Sequence, residues 1–186
     1  MTTDELISQI KSNDEKVRTA AWREAGKVGA DAVKPLAAVM TDKDLEVARA
    51  AQRAMWQIVR YTGRPGADGE KKAVGANLLP LLGDDQPAAV RREVLWMLSE
   101  IAGDEAVGPM AALLSNADLR EDARLCLQRI PGDKALQALK DALAAAPEDF
   151  KINVAESLRA RGVEVPGLPC QKLVPTKKTS VKPVGR

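Results

Sequence analysis

Histidine is absent from the 186 residues. That excludes imidazole acid–base catalysis, His-containing nucleophilic triads and His-rich metal sites. Aromatic residues are scarce, at 3%. The two cysteines, Cys126 and Cys170, are far apart and form no CxxC pair. The sequence therefore shows neither a disulfide framework nor a zinc motif, and Cys126 reads as a small buried apolar residue. No run reaches the ~18 apolar residues of a membrane span, and the first residues, MTTDELISQIKS, lack the apolar core of a signal peptide. The expected location is the cytoplasm. No catalytic constellation, cofactor site or metal site is expected.

What is abundant is charge, at 29%, together with alanine and leucine within an apolar fraction of 45%. Helix formers with small side chains prevail over β-branched strand formers, which points to an all-α fold with closely spaced helices. Net charge is +2, unevenly spread. From Val163 to Arg186 five cations (Lys172, Lys177, Lys178, Lys182, Arg186) face one anion, Glu164, leaving Met1–Gly162 slightly acidic. Such a body is a poor platform for phosphate backbones, so nucleic acid is not expected as a partner.

The stretch that explains most of the chain is Ala88–Ile101, AAVRREVLWMLSEI. After the turn Gly83–Pro87 come Val90-Arg91 and then Val94, Leu98 and Ile101, one stripe of a helix. The same grammar recurs. Val17-Arg18, Ala21, Ala25 and Val28 form one copy; Val47, Ala51, Met55 and Ile58 another, with Arg49 displaced by one place. Leu119-Arg120, Ala123, Leu127 and Ile130 follow, then Phe150-Lys151, Val154 and Leu158. Second helices are expected over Ala32–Met40, Ala73–Leu82, Glu105–Leu114 and Lys134–Leu143, with Pro80 bending or shortening its helix. Thr3–Lys11 reads as a capping half-repeat. The last apolar positions, Val28, Ile58, Ile101 and Ile130, are spaced by 30, 43 and 29 residues. The long step is explained by a surface loop inserted at Tyr61–Lys72, which carries three glycines and a proline.

D-x-x-V-R-x-x-A-x-x-x-L/A-x-x-I/V followed by a short Ala/Leu helix resembles the HEAT repeat, of the short kind also found in phycobilisome-lyase-type proteins. Asp14, Asp44 and Asn116 fill the turn position, and Pro87 and Pro147 depart from it. Arg18, Arg91, Arg120 and Lys151 fill the basic position. The resemblance implies a right-handed α-α superhelix, an armadillo-like solenoid of about four to five helix pairs, with first helices on the convex side and second helices on the concave side. The expected units are a solenoid over residues 1–162 and a Pro/Lys-rich tail over 163–186, which is either disordered and basic or an extended strap packed to about Val174. Motif residues build the stack rather than a site, so the resemblance implies a non-catalytic scaffold or adaptor binding another protein.

Aligning the second helices places Lys34, Ala37, Leu79, Gly108, Ala111 and Lys140 in outward columns. Small and apolar residues there suit either an apolar helix of a partner or packing against a neighbour or a dimer mate. On the first helices Trp22 flanks its stripe, and Trp56 and Trp96 lie nearly opposite theirs. They read either as packing between repeats or as aromatic anchors for a partner, and in Ala88–Ile101 the residues that the repeat does not require are Arg92, Trp96 and Glu93. The recurrent arginine reads equally as a ladder to the turn Asp of an adjacent repeat or as solvated charge. The acidic pairs Asp84-Asp85 and Glu121-Asp122 are expected as helix caps, and the basic tail as a possible contact for an acidic partner. Other HEAT-like proteins are enzymes. A bilin-lyase-like or DNA-glycosylase-like activity is the alternative function, while deoxyhypusine hydroxylase-like chemistry, built on His–Glu metal pairs, is removed by the absence of histidine.

Overall fold

The computed structural model describes residues 1–170, and the regular structure among them is entirely helical. Ten α-helices follow one another: α1 (Thr3–Ile10), α2 (Glu15–Glu24), α3 (Val33–Val39), α4 (Leu45–Thr62), α5 (Asp68–Leu78), α6 (Ala88–Ile101), α7 (Asp104–Ala112), α8 (Arg120–Arg129), α9 (Asp133–Ala145) and α10 (Glu148–Ala160). Short 3-10 turns continue α2, α5 and α7 at Ala25–Lys27, Leu79–Leu82 and Leu113–Ser115. Even-numbered helices from α2 to α10 are the first helices of successive pairs and pack in series, while α3, α5, α7 and α9 form the second row.

The local chemistry sets these boundaries. Thr2 and Glu5 form a capping box at α1. Asp14 accepts from the Lys16 N–H at 2.8 Å and Asp44 from the Glu46 N–H at 2.8 Å, so both turn aspartates cap their helices. Pro87 and Pro147 replace that cap with a preset backbone, at φ −57° and −64°. Asn116 instead accepts from the Asp118 N–H in the turn before α8. Gly132, at φ +95°, turns the chain from α8 into α9 in a conformation that a side chain would strain. Pro80 ends α5 as an α-helix and sits at the start of a 3-10 turn.

The stripes Val47, Ala51, Met55 and Ile58; Val90, Val94, Leu98 and Ile101; and Leu119, Ala123, Leu127 and Ile130 lie in one continuous core that Leu158 joins, and Phe150 and Val154 of the last stripe are buried as well. The first copy departs from the expectation. Ala21 and Ala25 are buried, but Val17 is 36% exposed. The helix packed before it, α1, has 8 residues and leaves the start of α2 uncovered at Val17.

The expected loop at Tyr61–Lys72 is also corrected. α4 continues to Thr62 over 18 residues, and α5 already starts at Asp68, so only residues 63–67 connect them. The extra residues of the long step lengthen both helices of that pair. Glycine content overstated the break: Gly69 falls in the first turn of α5, and Glu70 there pairs with Arg64 across the short turn.

After α10 the chain runs without helix to Cys170. Val163 and Val165 pack against the core. Arg159 donates to the Leu168 carbonyl at 2.6 Å and the Val165 carbonyl at 3.2 Å, tying this segment to the end of α10. The remainder of the strap expected to Val174, with Lys172, Lys177, Lys178 and Lys182, lies outside the described residues.

Candidate functional site

Between the first helices runs a series of polar contacts. The Trp56 indole N–H of α4 donates to Glu93 Oε2 of α6 at 2.9 Å. One step on, the Trp96 indole N–H of α6 donates to Asp122 Oδ1 of α8 at 3.0 Å. Arg92 donates to the other Asp122 oxygen at 2.8 Å and to the Asp118 carbonyl at 2.7 Å. Arg60 and Arg129 lie over the two indole rings, at 5.4 and 5.7 Å. Between α8 and α10, Arg124 is nearly buried, bonded to Glu121 and to Ser157 Oγ at 2.6 Å. Trp56, Trp96 and Arg92, singled out as possible partner contacts, thus have their polar groups engaged within the chain.

Two expectations change here. Glu121 and Asp122 stand in the first turn of α8 but act as acceptors for neighbouring helices rather than as caps, and Asp85 accepts from Gln86 while Pro87 holds the N-cap position of α6. The recurrent arginines form no uniform ladder. Arg120 does cross to Asp149 of the next repeat, at 2.6 Å. Arg18 and Arg91 donate to the carbonyls of Ser12 and Leu82, and Arg49 and Lys151 pair within their own helices. The Arg18 and Arg91 guanidinium groups thus satisfy carbonyls left open between helices instead of the next repeat's turn.

The second helices present a different surface. On α9, Ala138, Ala142 and Ala145 recur at helical spacing and face the end of α7 and the start of α10. Alanine is too short to fill that space. The result is an open, mostly apolar depression of about 530 Å³, also lined by Ala111, Leu114 and Phe150. Asp141 stands in its wall, accepting from Gln137 at 2.8 Å and paired with no cation among the described residues. The Phe150 ring is held by Arg120, at 4.8 Å from its centroid.

Of the outward columns read from the sequence, Ala111 lines this depression. Lys34, Gly108 and Lys140 are exposed elsewhere, and Leu79 is half-buried against the core. Ala37 is corrected: it is 2% exposed and faces the core, because the neighbouring Ala38 takes the outward position on α3. On α9 the alignment selected Lys140, which lies away from the alanine side. Its signal was the Ala138–Ala142–Ala145 spacing itself.

Elsewhere the described residues hold no cluster suited to a metal ion, and none of the helices among them is long and apolar enough to cross a membrane. Burial pushes the Cys126 thiol up to about 12, with a Ser99 hydrogen bond acting weakly the other way.

Residues 75–159 match the family model for HEAT repeats. No curated protein matches the chain. Among solved structures, two engineered proteins are similar at 22% identity, with TM-scores of 0.43 and 0.46, each over 84% of this chain and 77% and 78% of theirs. A designed armadillo repeat protein is similar at 16% identity and a TM-score of 0.38, over 84% of this chain and 98% of its own. Folds of the HEAT and armadillo kind typically serve as protein-interaction scaffolds. The family match covers residues 75–159, from the end of α5 into α10, and the same helix-pair packing runs back to α2, so the described fold is a HEAT-like solenoid.

Proposed function

We propose that this protein is a non-catalytic interaction scaffold that takes an apolar helix of a partner protein in the depression between α7, α9 and α10. The supporting observation is the alanine-floored hollow of about 530 Å³. Small side chains let a partner backbone approach closely, while the half-buried Leu114 supplies apolar area for its side chains and Phe150, itself buried, backs the wall. Asp141 gives the hollow one unpaired carboxylate, which favours a partner helix carrying a lysine or arginine beside its apolar stripe. Ala111 on α7 carries the same surface toward the preceding repeat.

Affinity purification from an extract of the source cells tests this reading. Ala142→Glu and Ala111→Glu each place a charge in the hollow. Recovery of the bound partner is expected to fall about tenfold, a loss of ~1.4 kcal/mol, with the helical circular dichroism and melting temperature kept. Equal recovery by wild type and both variants removes the reading.

A further inference from the structure

We propose a second interaction surface at the opposite end of the stack: a basic cleft between α2 and α4 that binds an acidic peptide segment. It stands apart from the α7–α9–α10 hollow and does not depend on it.

The arginines of the described residues divide into two groups. Most have an acceptor: carbonyls for Arg18, Arg91 and Arg161, carboxylates for Arg49, Arg64, Arg92, Arg120, Arg124, Arg129 and Arg159. Arg23, Arg53 and Arg60 have none among those residues, and all three are exposed. All three also lie over indoles, as does Arg129, which is already paired with Glu100. Arg23 and Arg53 lie over Trp22, at 5.4 and 5.6 Å, and Arg60 lies over Trp56. A guanidinium resting on an aromatic face loses part of its rotamer freedom before any ligand arrives and keeps its N–H edge free for a carboxylate.

A cleft of about 310 Å³ lies at this place, lined by Arg23, Lys27 and Arg60 with Gly26, Gln57 and Tyr61. Its room is built in. A Cβ on Gly26 would lie 2.9 Å from Tyr61 Cβ and 3.3 Å from the Gln57 carbonyl, so glycine lets the end of α2 approach α4 that closely. One carboxylate, Glu24, shares the wall. That composition favours a short peptide with two or three carboxylates over a nucleic-acid backbone. A continuous polyanion would have to pass Glu24 and then the slightly acidic remainder of the stack.

Fluorescence anisotropy with a labelled hexaglutamate peptide at low ionic strength tests the assignment. The wild type is expected to bind with an affinity that falls as salt is added. The double variant Arg23→Gln/Arg60→Gln is expected to weaken binding about tenfold or more. Arg129→Gln, which removes an arginine that also lies over an indole but is already paired with Glu100, is expected to leave it unchanged. Arg23→Glu/Arg60→Glu is expected to lose hexaglutamate and gain labelled hexalysine, a reversal that a merely structural role would not produce. Lys27→Gln, a single exposed change, gives the same result at about threefold and guards against misfolding of the double variants. No binding by the wild type, equal binding by wild type and Arg23→Gln/Arg60→Gln, or tighter binding of a labelled thymidine hexamer would overturn the proposal.

Discussion

Trp96 and Asp122 join consecutive first helices, indole N–H to carboxylate at 3.0 Å, with Arg92 on the second carboxylate oxygen. Trp56 and Glu93 repeat the arrangement one step earlier. The stack is therefore held by apolar stripes inside and by specific polar contacts along its first helices. In a chemical-denaturation double-mutant cycle, Asp122→Ala and Trp96→Phe should each cost about 1–2 kcal/mol, with a coupling of roughly 0.5–1.5 kcal/mol. Additive losses would mean that the contact contributes nothing of its own.

The stripes differ in weight along the chain. Leu98 is fully buried in the middle of the stack, and Leu98→Ala should cost roughly 2–5 kcal/mol. Val17 holds an early position in the same repeat pattern but is 36% exposed, and Val17→Ala should cost under ~1 kcal/mol. Equal losses in urea melts would contradict the placement of α2 at the open end of the core.

Glu105 links stability to pH. Its carboxylate accepts from the Gly103 N–H at 3.0 Å, and this bond, followed by the one to its own N–H, lowers its pKa. A depressed folded-state pKa means stability that is present above the unfolded value of about 4.3 and lost as pH falls through the folded one. Glu105→Ala should therefore destabilise at pH 7, by under ~1 kcal/mol for so exposed a group, and the difference should close on acidification below about pH 4. A difference that stayed constant from neutral pH through the acid range would assign the loss to something other than the ionised cap.

The cysteines should separate by reactivity. Cys126 is buried with its thiol pushed up to about 12, and Cys170 is exposed. A chromogenic disulfide reagent at pH 8 should titrate one thiol in the folded protein and the second only after unfolding. Rapid reaction of both would show that α8 opens far more readily than its packing implies.

Much of this architecture is legible in the residues. Ala88–Ile101 is a helix with the bounds its stripe and its preceding proline set, because periodicity and backbone restriction act locally. The lengthened pair α4–α5 is not legible, since three glycines between Tyr61 and Lys72 look like a break when no neighbouring helix is known. The Trp–carboxylate contacts are hidden for another reason. They join residues 26 and 37 positions apart, on helix flanks that the repeat leaves free to vary. Tryptophan placement opposite the stripe was visible; the identity of the acceptor required the stacked geometry. On α9 the outward position read from the sequence, Lys140, misses the hollow, whose floor is Ala138, Ala142 and Ala145.

Site-specific photocrosslinking tests the scaffold reading most directly. A benzophenone amino acid replaces Ala142 in the floor of the hollow or, as a control, the exposed Lys16 on α2, and each protein is irradiated in an extract of the source cells. A scaffold with its partner helix seated between α7, α9 and α10 predicts a discrete protein adduct from position 142, lost when Ala111→Glu is added, and none from position 16. No adduct at position 142 above the control would contradict it.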